Sequence, residues 1–102
     1  MKKTPRKLTY VMMAGHRIKV RHVSEDELRE EWGDWDEDQM VIRLLKSLIG
    51  KPAYVKWLRH EMRHAAFTLG GVAYCSRMEE EAQNRCLDYL FEPAWERVAA
   101  RL

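Results

Sequence analysis

Along the first quarter of the chain, apolar and polar positions alternate with the two-residue period of a β-strand. Ile18, Val20 and His22 fall on one side, and Lys19, Arg21 and Val23 on the other. With the β-favouring stretch Leu8 to Met13 and the turn-like Ala14-Gly15-His16 between them, residues 8–23 are expected to form a hairpin. Ser24 followed by Glu27, with Glu25 and Asp26 between them, reads as a capping box opening a short helix. That helix would run to Trp32 and stop at Gly33. Asp34 to Asp38 reads as an acidic turn, and Gln39 to Leu44 is short, apolar and β-branched enough for a third strand.

The pattern then changes. Lys46 to Gly50 is ambiguous, but Pro52 suits the first turn of a helix. Ala53 to Leu69 contains no glycine or proline before Gly70-Gly71, which predicts a central helix. A loop from Val72 to Arg77 leads to a last helix over Met78 to Leu90. Glu92-Pro93 is expected to kink or break it before Trp95 to Leu102. The order β-β-α-β-α-α predicts an α+β domain: a small three-stranded sheet with a hairpin, packed on a central helix and a C-terminal helix.

With 102 residues, 46% hydrophobic and 33% charged, the chain suits one domain with a modest core, over residues 8–102. Residues 1–7, carrying Lys2, Lys3, Arg6 and Lys7, read as a basic flexible tail. The formal charge of +2 is too mild to indicate nucleic-acid binding. No apolar run approaches the roughly 18–20 residues of a membrane span, and no signal-peptide stretch follows the basic start, so a cytoplasmic protein is expected. Cys75 and Cys86 stand eleven positions apart without a CxxC pair and read as small reduced core residues.

Within the central helix stands His60-Glu61-Met62-Arg63-His64, an HExxH pattern. At about 100° per residue, the two histidines lie about 40° apart around the axis and one turn apart along it, so both rings can reach one ion. Glu61 lies about 60° further round, where a carboxylate can take a proton from a metal-activated water. One zinc ion per chain is the expected cofactor, and such a site needs a third protein ligand.

Glu79-Glu80-Glu81 supplies the candidates. With Glu79 at 0° on a helical wheel, Cys86 falls near 340° and Leu90 near 20°, so Glu79 sits in the apolar stripe. A carboxylate there is costly unless it is paired or metal-bound, which makes Glu79 the expected ligand; Glu80, at the edge of the stripe, is the reserve. The four tryptophans are expected to serve packing, and His16 and His22 to be ordinary strand or turn residues. Tyr74 is expected to anchor the loop, with a transition-state donor as its second reading.

His60-Glu61-Met62-Arg63-His64-Ala65, followed by a Glu79-x-x-Ala82 helix, resembles the gluzincin-type metallopeptidases, and most of all their small members: short phage and prophage proteins and the ImmA/IrrE family. The likeness covers about residues 8–92. It implies a minimal zincin-like domain in which His60, His64 and Glu79 hold zinc and Glu61 activates water. It also implies that the strand at Gln39 to Leu44 resembles the zincin edge strand that pairs with an extended peptide. Arg63 departs from the pattern, since that inner position usually carries an uncharged residue.

The expected function is therefore that of a zinc metallopeptidase-like protein acting on a peptide or protein substrate. The alternative is a non-catalytic, zinc-stabilised protein-interaction module, of a phage-encoded kind directed at a host factor. A third reading, a DNA-binding accessory protein, would use the basic tail.

Overall fold

The computed structural model describes residues 7–29, 31–71, 83 and 85–102. Its architecture is α+β, with a four-stranded mixed sheet and three helices. β1 (Tyr10–Met13) and β2 (His16–Val23) form the expected hairpin, antiparallel, with Met13 opposite His16. Ala14 and Gly15 both have positive φ, 49° and 79°, as a two-residue turn matched to strand twist requires.

α1 is a single turn, Glu25–Leu28, and not the longer helix expected to reach Trp32. Ser24 makes no side-chain cap hydrogen bond, and Arg29 enters the left-handed region at φ 46°, so the chain turns off before Gly33. Leu28 is the only buried residue of α1, too little apolar face to sustain a longer helix.

The sheet has four strands where three were expected. The segment read as an acidic turn contains β3 (Gly33–Asp36), antiparallel to β4 (Val41–Leu45). Its two aspartates disguised it. Asp34 forms an ion pair with Arg43, its cross-strand partner. Asp36 Oδ1 accepts the backbone N–H groups of Asp38 and Gln39, both at 3.1 Å, and so starts the turn. Met40, at φ 56°, completes the reversal.

β4 runs parallel to β2, giving the order β1-β2-β4-β3. The strand around Gln39–Leu44 is thus internal and not the sheet edge the resemblance implied, because β3 covers its outer side.

A 3-10 turn (Lys46–Leu48) leads to α2 (Pro52–Leu69), with Pro52 in its first turn as expected. α2 buries Tyr54, Leu58, Met62 and Ala65 against Ile42 and Leu44 of the sheet, and Glu61 falls in the same buried stripe. The Tyr54 hydroxyl accepts the Leu8 N–H at 3.1 Å and pairs with His22 Nε2 at 2.8 Å, which commits His22 to the core.

Near the C-terminus a π-helical turn (Leu87–Phe91) runs straight into α3 (Glu92–Ala99), so Pro93 does not break the helical run. The widened turn lies just before Pro93, where a regular α-turn would set the proline ring against the carbonyl four residues back. Phe91, Ala94 and Val98 are buried, with α3 against β1. Among the described residues, no helix is long and apolar enough to cross a membrane.

Candidate metal centre and groove

α2 brings His60, Glu61 and His64 together: one candidate ligand atom from each lies within 4.8 Å of the others. The two Nε2 atoms are 3.2 Å apart. Two imidazoles bound to one tetrahedral ion at about 2.0–2.1 Å would hold their nitrogens about 3.3–3.4 Å apart, so the pair is already spaced to share an ion. Both histidines are exposed, and the His64 pKa is lowered, by burial of part of the ring and then by His60. Lowering favours the neutral ring, which is the metal-binding form. This group could hold a metal ion.

Glu61 is the one buried charged side chain among the described residues, 4% exposed. None of its hydrogen bonds is to a described residue, yet no fully buried side-chain oxygen or nitrogen lacks a partner, so its residual exposure lies at the carboxylate, which opens into the groove. Its pKa is pushed up to about 7, first by burial, then by the negative charges of Asp34 and Glu31.

Glycine at 33 is what lets β3 pack closely on β4 beside this carboxylate. A Cβ there would meet Leu44 Cδ2 at 2.8 Å and the Arg43 carbonyl oxygen at 2.9 Å, with Glu61 Cγ at 3.5 Å. The demand is for space between β3, β4 and α2. Gly33→Ala should therefore destabilise the fold by about 1–3 kcal/mol through forced displacement of β3. Chemical denaturation checks this, and a loss under 0.5 kcal/mol would show the contact to be soft.

A groove of about 710 Å³ runs over the three residues, between β3 with the segment before it and the exposed side of α2. Trp32 stacks on Trp57 at 6.4 Å and 14°, and Trp57 meets His60 edge-on at 5.4 Å. Toward the other end, Trp35 Nε1 donates to Thr68 Oγ1 at 2.9 Å, with Phe67 beside it in the lining. Three of the tryptophans expected to serve packing thus line the groove; Trp95 alone stacks away from it, on Phe91. Arg63 points its guanidinium over Phe91 at 5.6 Å, toward the C-terminal helical run, so its charge does not enter the groove lining.

The expected third ligand, Glu79, and its reserve, Glu80, lie outside the described residues, as do Tyr74, Cys75 and most of the basic tail. Cys86 is buried, and its thiol donates to the Ala66 carbonyl at 2.8 Å, in keeping with a core role. His16, at the hairpin turn, is exposed.

Sequence reasoning missed Glu31, Trp32, Trp35 and Phe67 as groove residues. A usable signal was Gly33-Asp34-Trp35-Asp36, whose small and aromatic positions alternate with acids at strand period. No protein-family profile, curated protein or solved structure matches the chain.

Proposed function

We propose that the protein is a zinc-dependent hydrolase of peptide bonds. The observation that carries this is the pairing of His60 and His64 Nε2 at 3.2 Å with the buried, groove-facing carboxylate of Glu61 beside them. Zinc suits the donor set, two imidazoles and a carboxylate, and when bound it would polarise the scissile carbonyl and acidify the attacking water.

His60 and His64 hold the ion, with Glu79 as the third ligand. On the helix that the sequence predicts over Met78 to Leu90, Glu79 would stand two turns before Cys86, whose thiol bonds to Ala66 of α2. Glu61, whose pKa near 7 suits proton exchange at neutral pH, takes a proton from the attacking water and passes it to the leaving amine. The peptide would lie extended along β3, the outer strand of the sheet, which lines the groove above the two histidines.

The test is cleavage of a denatured protein mixture by the zinc-loaded protein, scored by new peptide termini in mass spectrometry. Glu61→Gln should lower turnover by about 10²–10⁴-fold while one zinc per chain stays bound. Glu79→Ala should lose the metal. Unchanged turnover in Glu61→Gln would overturn the mechanism. A wild type that binds zinc and cleaves nothing would leave the interaction-module function.

A further inference from the structure

The groove carries a charge pattern that the chemistry of bond cleavage does not require. The chain has 18 lysines and arginines and a formal charge of +2, yet the described residues of the groove lining include no lysine or arginine and four carboxylates: Glu31, Asp34, Glu37 and Glu61. Asp34 is neutralised by Arg43, but Glu31 is exposed and forms no ion pair among the described residues.

Next to Glu31 in the chain is Trp32, 50% exposed beside the candidate metal centre. Its indole stacks on Trp57, which in turn touches His60, so the ring pair forms a shelf at one end of the histidine pair. Trp57 already takes a cation from outside the groove lining: Lys56 Nζ sits 5.3 Å from the centre of its ring. Half of Trp32 remains open to a ligand, with the Glu31 carboxylate adjacent. The buried Glu61 carboxylate, without a partner among the described residues and opening into the same groove, marks this as the face where a ligand is handled.

We propose that Glu31 and Trp32 form a specificity subsite for a basic side chain, lysine or arginine, of an extended peptide flanking the bond to be cleaved. This rests on the peptide-hydrolase reading above. A cationic head is held by the carboxylate and by the indole face, and its aliphatic stem lies on the Trp32–Trp57 shelf. An acidic side chain at the same place meets an uncompensated carboxylate.

Two measurements test it. In the first, zinc-loaded wild type cleaves a peptide library, and the residues around each cut are counted; lysine and arginine should be enriched about tenfold over glutamate and aspartate at one position. Trp32→Ala and Glu31→Gln should each reduce that enrichment severalfold, read as the ratio of basic to acidic cut sites within each variant so that a change in overall rate cancels.

In the second, zinc-loaded Glu61→Gln is titrated with two extended peptides, Ac-Ala-Ala-Arg-Ala-Ala-NH2 and Ac-Ala-Ala-Glu-Ala-Ala-NH2, using tryptophan fluorescence. The arginine peptide should bind about tenfold tighter, and Glu31→Gln in the same background should narrow the gap.

Cleavage without basic enrichment overturns the subsite and leaves the hydrolase reading standing. No cleavage, but an arginine preference that Glu31→Gln removes, sustains the subsite and overturns the hydrolase reading. Equal binding of the two peptides with no cleavage overturns both.

Discussion

Without metal at pH 8, Glu61→Gln is expected to be more stable than the wild type by about 3 kcal/mol. The size follows from a pKa pushed from 4.5 to about 7, at about 1.4 kcal/mol per unit. The folded state holds this proton more tightly than the unfolded chain does, so the stability linked to it is fully present below pH 4.5 and is lost as pH rises through about 7. Glutamine has nearly the same shape and no charge to desolvate, and it escapes the loss. At pH 4 the two proteins should therefore differ little.

The comparison must be between the two denaturation curves across pH. His22 and His64, both with lowered pKa, contribute the opposite slope below pH 6.5, because the unfolded chain takes up their protons first. Urea unfolding with a chelator present, at pH 4, 6 and 8, checks the result. A glutamine variant no more stable than wild type at pH 8 would mean that Glu61 is satisfied in the metal-free fold.

The second large effect is on the metal-linked part of stability. At a zinc concentration a hundredfold above its dissociation constant, the wild type should gain about 2.7 kcal/mol over the chelated protein. His60→Ala should lose nearly all of that gain. Without metal it should stay within about 0.5 kcal/mol of wild type, since His60 is exposed. Glu61→Gln should keep the gain. Thermal unfolding with and without zinc separates these cases, and an equal zinc response in wild type and His60→Ala would remove His60 from the ligand set.

Much of this site was legible in the sequence because an i, i+4 spacing on an unbroken helix has only one geometry. Pro52 at the start and Gly70-Gly71 at the end fixed the helix, and the helix fixed the relation of His60 to His64. The hairpin at Ala14-Gly15 was legible for a similar reason, since the turn chemistry is local.

β3 was not, because what makes Gly33–Asp36 a strand is not local. Its acids are accommodated by Arg43 on β4 and by the turn backbone, and its tryptophan by Thr68 of α2, thirty-three residues away. Reading the four residues alone, a turn is the better assignment. The misplaced edge followed from it: with β3 unrecognised, β4 had to be outermost. Pro93 misled in a different way, because a widened helical turn, which absorbs the proline, leaves no signature in residue spacing.

The sheet is two local hairpins, β1–β2 and β3–β4, joined along one parallel seam between β2 and β4. Each hairpin closes a short loop and can form on a microsecond timescale, whereas the seam joins segments about twenty residues apart and pays the larger loop-closure entropy. Docking of the two hairpins is thus expected to be the slow event in folding, and substitutions at Val20 and Ile42, paired across the seam, are expected to slow folding. One wall of the groove comes from β3 and the two residues before it, and the other, with the candidate metal-binding pair, from α2, so the two walls are not joined by sequence-local contacts. The groove is complete only when α2 has packed against the second hairpin, so its two walls are expected to meet late in folding.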